Sequence, residues 1–393
     1  MLHPHSLYHD HLTSAEQEFI RQTAAFCAAE IAPHAAEWEE REELPRELFT
    51  KAGRAGLMGI MAPPELGGRG FGKVCYAVVI AEIARHCGAF AMNLAAHNAL
   101  CVGHPLAFAG EELRRKIFPR AVNGDWMVAW ALTEPEAGSD TGGVKTTGTL
   151  QPDGTWVLNG HKQYITMGLH SDRMIVLAVT GATEKGRKEF SAFWIETKDI
   201  TPIRKVKTAG VRASNTSELR LENVRGELLG PRGSGQSAAL TCLDVGRIGI
   251  AGMSIGLARA AVEIAGRRML TRMQFGRRLA EFQALQFKLA DCEVGLRAAE
   301  ALTLQAAVMA DRGQKHTLES AVAKLHASEA ASMACDHALQ ICGGWGYTRD
   351  TPVERCWRDA RLCEIGEGSS EIQRLVISRT LLKALETAAP GSP

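Results

Sequence analysis

Residues 131–143 have the sequence ALTEPEAGSDTGG, in which the end of an apolar run enters a loop of glycine and hydroxyl-bearing residues. Residues Trp126 to Leu132 are all apolar and predict a short buried strand. Inside the loop, main-chain N–H groups and the hydroxyls of Thr133 and Ser139 could hold a polar ligand. Without other information, the same pattern favours a plain β-turn closed by an aspartate side chain.

The segments that follow this loop are short and alternate polar and apolar residues, which predicts strands. They are Gly143–Leu150, Thr155–Leu158, Lys162–Ile165, Arg173–Thr180, Glu189–Glu196 and Ser217–Val224, with a turn expected at Asn159-Gly160. We therefore expect a β domain over residues 126–233. The spacing of the strands favours a barrel or sandwich over a parallel sheet.

Both flanks of this region show the apolar period of helices. Residues 1–125 are predicted to form a helical domain, in which Thr13 and Glu16 have the spacing of a capping box. In residues 234–393, four long helices are expected over Ala238 to Met273, Phe282 to Arg312, His316 to Ile341 and Ser370 to Glu386. Long helices with short links predict an antiparallel four-helix bundle. The expected fold class is thus α+β: an N-terminal α-helical domain, a middle β domain and a C-terminal four-helix bundle.

The composition is that of a folded globular protein, with 46% hydrophobic and 23% charged residues. A formal net charge of +1 provides no basic surface for a polyanion, so we expect no nucleic-acid partner. The ten cysteines are scattered without a Cys-x-x-Cys pair, which favours a reducing, cytoplasmic location. We expect no signal peptide and no membrane-spanning segment. His3, His5, His9 and His11 form a loose cluster at the chain end, for which we expect solvation rather than a metal.

Two nucleotide-binding motifs are incomplete or missing. Gly67 to Lys73, GGRGFGK, approaches the phosphate-binding loop G-x-x-x-x-G-K-[ST], but Val74 stands where a hydroxyl is needed. No G-x-G-x-x-G follows a predicted strand, which disfavours a Rossmann domain. A dinucleotide, if bound, must be held in another way.

The loop at 131–143 matches the pattern A-L-T-E-x-x-A-G-S-D-x-x-G, which resembles the first signature of the acyl-CoA dehydrogenase family. Residues 340–359, QICGGWGYTRDTPVERCWRD, resemble the second signature position by position. The segments KQYITMG, LDVGR, RMQFGRRL, FQALQ and EIGEGSSEIQR have family counterparts in the expected order. The resemblance covers nearly the whole chain, and it is nearest to the short-chain and branched short-chain subgroups.

This resemblance implies an enzyme that binds FAD non-covalently and assembles as a homotetramer, a pair of dimers. The family reaction removes the pro-R α-hydrogen of an acyl-CoA as a proton and the β-hydrogen as a hydride, leaving a trans-2-enoyl-CoA. An electron-transferring flavoprotein is the implied electron acceptor. Because an α-C–H beside a thioester is a weak acid, this reaction needs a positioned base and donors to the carbonyl.

Glu367 is the base that the resemblance implies, in the segment Ile365-Gly366-Glu367-Gly368 before the last long helix. A dry pocket would raise the pKa of this carboxyl toward the operating range. Its position is also typical of an ordinary acid near a helix N-terminus, which Ser370 and Gln373 mark by capping-box spacing. Some family members carry the base immediately before the arginine of the LDxxR segment, but here that position is Gly246.

The resemblance also assigns cofactor and substrate contacts residue by residue. The FAD set is Trp130, Leu132, Thr133, Gly138, Ser139, Tyr164, Ile165, Thr166, Arg272, Gln274, Phe275, Gln283, Gln340, Gly343, Gly344, Ser369 and Glu371. The acyl-CoA set is Ser139, Asp244, Arg247 and Gly368. Asp244 and Arg247 also fit an ordinary i, i+3 ion pair on a helix, and Arg272 also fits a solvated cation at a helix end.

The sequence departs from the common family pattern at Gly366, where straight-chain members often have tyrosine. The loss of this ring implies a wider pocket near the thioester, suited to a branched, cyclic or otherwise bulky acyl group. Tyr164 replaces a common tryptophan, and either ring could shield a flavin. Two alternatives stay open. One is a same-fold oxidase or an enzyme for carrier-protein-bound acyl groups, and the other is a catalytically silent binding relative, which the presence of Glu367 disfavours.

Overall fold

The computed structural model of the protein describes residues 7–388, so the prediction for His3 and His5 lies outside the described residues. The chain divides by its internal contacts into two compact units. The bundle unit comprises Met1–Pro33, Lys73–Ala91 and Arg247–Pro393, and the barrel unit comprises His34–Gly72 and Met92–Gly246. The three predicted domains, 1–125, 126–233 and 234–393, are a different division of the chain and stay a prediction.

The α-helices of the described residues precede and follow a run of strands in the sequence. They are α1 (Ser14–Phe26), α2 (Ala35–Arg41), α3 (Arg46–Arg54), α4 (Lys73–Ala84), α5 (Gly88–Ala96), α6 (Gly103–Phe108), α7 (Glu111–Ala121), α8 (Gly235–Thr271), α9 (Gln283–Asp311), α10 (Thr317–Cys342), α11 (Val353–Cys363) and α12 (Ser370–Ala388). The four long helices α8, α9, α10 and α12 confirm those predicted from the periodicity. The short α11 was not expected from the sequence.

Two helices of the bundle unit begin with different caps. Helix α1 has the predicted capping box: Thr13 Oγ1 accepts the Glu16 N–H at 3.3 Å, and Glu16 Oε2 accepts the Thr13 N–H at 2.9 Å. Helix α4 is capped from a distance, since the carboxylate of Asp311 accepts the N–H groups of Lys73 at 2.6 Å and Val74 at 3.1 Å. A carboxylate there satisfies orphan donors and the helix dipole, so it ties the end of α9 to the start of α4.

The bundle unit has α10 packed against α9, α11 and α12. Helices α4 and α8 approach each other backbone to backbone. A Cβ placed on Gly252 would lie 2.5 Å from the carbonyl oxygen of Ala77, and one on Gly256 would lie 2.1 Å from that of Ala81. These contacts leave no room for a side chain, so the close packing depends on glycine at both positions.

Helix α8 is the one described helix that is long and apolar enough to cross a membrane by length and composition. Its most apolar 18-residue window has a mean hydropathy of 1.5, and 72% of that window is buried within the protein. Such burial is typical of a core helix, which passes the same test of length and composition.

The barrel unit contains the strands β1 (Val128–Ala131), β2 (Thr147–Leu150), β3 (Trp156–Ile165), β4 (Arg173–Ala182), β5 (Lys188–Glu196), β6 (Thr201–Lys205) and β7 (Ser217–Leu228). They pair in the order β1-β4-β2-β3-β7-β5, and β4 also pairs with β5. The ring β4-β2-β3-β7-β5 therefore closes on itself, with β1 parallel to β4 and β6 antiparallel to β7. Leu158, Met174, Val176, Phe193 and Leu221 belong to its apolar core. The closed ring confirms the predicted barrel.

The turn predicted at Asn159-Gly160 is wrong, because both residues lie inside β3. Strand β3 pairs with β2 on one side and with β7 on the other, with a register shift between Leu158 and Gly160. The Asn159 side chain continues the pairing: its Oδ1 accepts the Asn223 N–H at 2.9 Å. Pairing on both edges thus outweighs the local turn preference, which appears only as a bulge.

Candidate active site

The loop between α11 and α12 carries the predicted base. Glu367 has φ 53° and Gly368 has φ 95°, so both adopt left-handed backbone. This conformation is unfavourable for a residue with a Cβ and persists only where its surroundings hold it. A Cβ on Gly368 would lie 2.7 Å from Gln373 Nε2, so a side chain there would displace the Gln373 amide in addition to straining the backbone.

The carboxylate of Glu367 is buried and unpartnered. Both of its oxygens are inaccessible to solvent and accept no hydrogen bond within the described residues. Burial raises the pKa of Glu367 to about 7, against the opposing charges of Lys324 and Arg247. A buried carboxyl without donors is a group that can take up a proton near neutral pH.

Three further buried groups of the bundle unit act on this carboxylate. Lys324, on α10, is fully buried and donates from Nζ to the Gly368 carbonyl oxygen at 2.8 Å. Arg247, on α8, is 4% exposed. Tyr76, on α4, has its pKa raised well above the ordinary value of 10.0 by burial and by the charge of Glu367. Two cations and one neutral phenol therefore surround the base.

The start of α12 differs from the sequence prediction. Ser369, rather than Ser370, caps the helix: its Oγ accepts the Ile372 N–H at 3.5 Å. Ser370 Oγ is buried and has no partner within the described residues. The Gln373 side chain does not return to the cap but donates to the carbonyl oxygens of Gly368 at 2.8 Å and Glu367 at 3.4 Å. The predicted capping box is therefore displaced by one residue, and its glutamine supports the loop instead.

In the barrel unit, the end of β1 is held by two partly buried polar contacts. Trp130 donates from Nε1 to His104 Nδ1 at 3.3 Å. Burial lowers the pKa of His104 to about 4, so its ring is neutral and can accept at Nδ1. The Thr133 carbonyl oxygen accepts the Gln163 N–H at 2.9 Å, which joins the loop after β1 to β3 beside Tyr164.

A buried ion pair lies beneath this loop. Lys162 Nζ donates to Glu134 Oε1 at 2.8 Å and to the carbonyl oxygens of Leu132 at 3.1 Å and Leu177 at 2.8 Å. The Glu134 carboxylate also accepts the N–H groups of Lys145 at 2.7 Å and Thr146 at 3.0 Å, together with the Thr146 hydroxyl. Burial alone would raise the pKa of Glu134, but the Lys162 charge and these hydrogen bonds lower it. The pair fixes the loop between β1 and β2.

The predicted flavin residues of the barrel unit fall along this loop and the end of β3. Leu132 and Ile165 are buried, whereas Gly138, Ser139 and Tyr164 are exposed. Within the described residues, the hydroxyl of Thr133 makes no hydrogen bond. The predicted aspartate cap is also present, since Asp140 Oδ1 accepts the Gly142 N–H at 3.0 Å. The capped turn and the predicted ligand-binding loop, which the sequence left as alternatives, therefore occupy the same segment. The Thr133 hydroxyl and the exposed Gly138 suit a polar ring edge, so the residues fit a flavin.

The predicted flavin residues at the far end of the bundle unit are all solvent-exposed: Arg272, Gln274, Phe275, Gln283, Gln340, Gly343 and Gly344. The hairpin of β8 (Met273–Gln274) and β9 (Arg277–Arg278) turns through Phe275 at φ 49° and Gly276 at φ 75°. The Arg268 guanidinium lies 4.3 Å from the ring centroid of Trp345, which places the end of α8 beside the loop after α10.

The remaining assigned residues lie on α8 and at the start of α12. Asp244 falls in the barrel unit and Arg247 in the bundle unit, although α8 is continuous through both. Thr166 follows β3 directly, and Glu371 lies in the first turn of α12, where hydrogen bonds from its own main-chain N–H and from the Ser369 hydroxyl lower its pKa. Glu367, Gly368 and Ser369 share one loop with Arg247 nearby in the same unit.

The sequence reasoning missed three buried charged residues: Lys324, Lys162 and Glu134. Lys324 carried a usable signal, since it shares a helical face with the buried residues Ala327, Ser328 and Ala331 at spacings of three, four and seven. A lysine on an otherwise small, buried stripe indicates a specific acceptor. Lys162 and Glu134 lie inside quoted motifs, but nothing local indicates that they pair.

Comparisons with known proteins identify the family of the chain. Models of the acyl-CoA dehydrogenase N-terminal, middle and C-terminal domains match residues 13–125, 129–224 and 233–382. An acyl-CoA dehydrogenase of Bacillus subtilis is 41% identical over 377 residues, which are 95% of this chain and 99% of the relative. A short-chain-specific acyl-CoA dehydrogenase of Clostridium acetobutylicum is 39% identical over 374 residues, 94% of this chain and 98% of the relative. The structure of butyryl-CoA dehydrogenase from Megasphaera elsdenii has a TM-score of 0.91 and 34% identity, covering 94% of this chain and 99% of that one.

Proposed function

The chain belongs to the acyl-CoA dehydrogenase family and is an FAD-dependent oxidoreductase, and from this premise we propose that Glu367 removes the α-proton of its acyl-CoA substrate. The observation that carries this proposal is the buried carboxylate whose two oxygens meet no protein donor. Such oxygens are available to a substrate C–H. A pKa of about 7 places the base where it is partly ionised at neutral pH and still basic enough to accept a proton.

The residues on either side of Glu367 assist the same step. The main-chain N–H of Glu367 donates to the thioester oxygen and stabilises the negative charge that develops as the proton leaves. Flanking glycines, Gly366 and Gly368, allow the substrate to approach the main chain closely. Bound FAD supplies the acceptor for the β-hydrogen, which leaves as a hydride.

The residues proposed to hold FAD are those that the family resemblance assigns, and the loop after β1, with its Thr133 hydroxyl, fits such a cofactor. Trp130, Thr133, Tyr164 and Thr166 would hold the flavin ring. The exposed set from Arg272 to Gly344 would hold the phosphates and adenine, since a guanidinium suits a pyrophosphate. Ser369 and Glu371 complete the cofactor set.

The substrate is a short-chain or branched acyl-CoA, held by Ser139, Asp244, Arg247 and Gly368. Gly366 supports this assignment, because it leaves space beside the base where a larger side chain would close the pocket. The short-chain and butyryl-CoA specificities in the names of two relatives agree with it. The ten cysteines, all free and buried, support a cytoplasmic location.

The enzyme assembles as a homotetramer and passes its electrons to an electron-transferring flavoprotein. The exposed apolar side chains of the bundle unit support assembly, since a large apolar area open to water is typical of an interface. They include Leu270, Phe275, Phe287, Val294, Leu381, Leu382 and Leu385, each more than half exposed.

An anaerobic titration of the purified holoenzyme with butyryl-CoA and isovaleryl-CoA tests this function. We expect the oxidised flavin absorbance to bleach in the wild type and to persist in Glu367→Gln, which keeps the size of the side chain and loses the base. The thioester that bleaches the flavin at the lower concentration shows whether the pocket prefers a straight or a branched acyl group. Glu386→Gln serves as a matched control, because this exposed carboxylate near the end of α12 belongs to neither the cofactor nor the substrate set.

Three results would change the proposal. A Glu367→Gln variant that bleaches as fast as wild type would remove the base assignment. If neither thioester bleaches the wild-type flavin but a carrier-protein-bound acyl group does, the substrate is a carrier-protein thioester and not an acyl-CoA. Rapid reoxidation of the reduced enzyme by air would identify an oxidase instead of a dehydrogenase.

A further inference from the structure

The loop that carries Glu367 is held by two side chains that meet at one atom. The Gly368 carbonyl oxygen accepts hydrogen bonds from Lys324 Nζ and from Gln373 Nε2, each at 2.8 Å. A carbonyl oxygen has two lone pairs, so these donors satisfy it fully. Both side chains are completely buried, and they come from different helices, α10 and α12. This carbonyl is therefore fixed from two directions.

Fixing this carbonyl also fixes the backbone of the base. Glu367 and Gly368 are consecutive left-handed residues, and Glu367 lacks the freedom of glycine to adopt that conformation. The hydrogen bonds to the Gly368 carbonyl define the orientation of the peptide that follows it, and the Gln373 contact with the Glu367 carbonyl defines the peptide before. Without these donors the loop would relax toward commoner backbone angles and turn the carboxylate away.

Lys324 differs from Gln373 in adding a charge. Gly368 is its hydrogen-bond acceptor within the described residues, which leaves two of its three ammonium donors without a protein partner. A lysine so buried and so sparsely bonded is costly to keep charged. An uncharged donor such as glutamine would be sufficient for the hydrogen bond to the Gly368 carbonyl. We therefore expect the charge of Lys324 to have a role beyond this hydrogen bond.

We propose that Lys324 is a positioning residue for Glu367, which holds the loop through the Gly368 carbonyl and places a positive charge beside the carboxylate. This proposal rests on the proposed function of Glu367 as the base. The positive charge favours the ionised base, and the hydrogen bond keeps that base in its left-handed position.

Other charged and titratable groups face Glu367 from the elements around it. Arg247 on α8 adds a second positive charge, and Tyr76 on α4 stays neutral. Near Lys324, burial raises the pKa of Cys363 to about 11, so this thiol is neutral, while Glu364 accepts the Ser332 hydroxyl and pairs with Arg361. Burial lowers the pKa of Lys324 itself to about 8, so its charge is present at neutral pH and is lost in mild alkali.

The test separates the charge of Lys324 from its hydrogen bond. Lys324→Gln keeps a donor and removes the charge, and Lys324→Met removes both. Lys73→Met is the control: Lys73 lies on α4 of the same unit, and its ammonium is 3.7 Å from Asp311, in a surface ion pair unconnected with the loop. Each variant is prepared as holoenzyme, and its flavin content and melting temperature are recorded first.

The rate of anaerobic flavin reduction by butyryl-CoA is then followed from mildly acid to mildly alkaline pH. Because the base must be ionised, the rate rises with pH through its pKa. We expect both Lys324 variants to move the midpoint of this rise upward by about one pH unit. We expect the limiting rate at alkaline pH to fall about tenfold in Lys324→Met alone, because only this variant removes the hydrogen bond that holds the loop. Lys73→Met should match wild type in both respects.

A second readout does not depend on turnover. The infrared band of the protonated carboxyl of Glu367, assigned by its absence from Glu367→Gln, should titrate at higher pH in both Lys324 variants. If folded, flavin-loaded variants show the wild-type midpoint and plateau, the proposal is wrong. If Lys324→Met fails to fold, the Lys324→Gln titration decides the charge effect by itself. If Glu367→Gln reduces its flavin normally, the base assignment fails, and the infrared titration still shows whether Lys324 acts on this carboxyl.

Discussion

The protein contains two buried lysine–glutamate combinations that contrast with each other. In the barrel unit, Lys162 donates directly to Glu134, and both side chains make further hydrogen bonds to the main chain around them. In the bundle unit, Lys324 donates to a carbonyl, and the nearby Glu367 carboxylate accepts nothing within the described residues. Burial lowers the pKa of both lysines to about 8, whereas the glutamates move in opposite directions, Glu134 down and Glu367 up to about 7.

This contrast shows that residue type and burial do not decide whether a carboxylate is structural or reactive. The hydrogen bonds to the charged form decide it, because they favour ionisation and occupy the lone pairs that a proton would need. The oxygens of Glu134 already accept hydrogen bonds from the loop between β1 and β2 and from Lys162. The oxygens of Glu367 accept none within the described residues, so the bundle unit contains a buried polar group without a hydrogen-bond partner.

The largest expected effect separates the two glutamates by rate. Glu367→Gln should lower the rate of flavin reduction by about 10³-fold, within the usual range for loss of a general base. Glu134→Gln should lower it far less, because this carboxylate touches the loop and not the reacting carbon. Stopped-flow absorbance of the two holoenzymes with butyryl-CoA measures both rates. Equal losses in the two variants would contradict the division into a reactive and a structural carboxylate.

The second effect separates the two lysines by stability. Lys162→Met should cost about 3–5 kcal/mol of the free energy of unfolding, since it leaves Glu134 buried without its counter-charge. Lys324→Met should cost about 1 kcal/mol or less, because it removes a buried cation that has no carboxylate bonded to it. Denaturant unfolding of the two variants gives the comparison. The double variant Lys162→Met with Glu134→Gln should recover part of the loss, and no recovery would count against the pair.

The third effect is a dependence of stability on pH. The folded-state pKa of Glu367, about 7, lies above its ordinary value of 4.5, so the folded protein binds more protons than the unfolded chain between these values. The stability from this group is complete below the lower value and is lost as pH rises through the upper one. Above that pH, Glu367→Gln should therefore be more stable than wild type, by at most about 3 kcal/mol.

Lys324 has the reverse dependence at higher pH. Its folded-state pKa, about 8, lies below the ordinary value of 10.5, so its contribution to stability is lost as pH falls through about 8. Melting temperatures of wild type, Glu367→Gln and Lys324→Met at pH values on each side of these windows measure both slopes. A wild-type slope that survives in Glu367→Gln would assign the titration to another group.

The smallest effect concerns the start of α12. Ser369→Ala should cost about 1 kcal/mol of stability, because it removes the cap of the Ile372 N–H. Ser370→Ala is the matched control: its buried hydroxyl has no partner within the described residues, so we expect little change or a small gain. The two melting temperatures compare the caps directly. A larger loss for Ser370→Ala would restore the capping position that the sequence predicts.

Much of the fold could be predicted because it depends on local patterns. The capping box of Thr13 and Glu16, the four long helices and the alternating strands each follow from residues close together in the chain. The exceptions have a common cause. The Asn159-Gly160 turn became part of β3 because β2 and β7 pair with both of its edges. The hydrogen-bonding partners that make this segment a strand are distant in the sequence, so the local pattern could not show them.

The candidate site shows the same limit. The motif EIGEGSSEIQR identifies Glu367 as the implied base, but nothing within that motif shows that its oxygens have no donors. The donors to the Gly368 carbonyl come from position 324, on another helix, and from Gln373, which the sequence pattern assigned to a cap. The spacing of Ser370 and Gln373 predicts a helix cap, which is the commonest role of that pattern. Only the three-dimensional structure shows that Gln373 instead donates to the Gly368 carbonyl.

The sequence by itself determined the order of helical and β segments, the family resemblance and the position of the proposed base, because each of these depends on residue type and spacing along the chain. Only the tertiary structure decided which buried charges are paired. Hydrogen bonds and burial are properties of neighbours in space, and they set the pKa of a carboxyl more strongly than its sequence context does. Glu134 and Glu367 therefore received different chemistry from the fold, although both are glutamates in matched motifs.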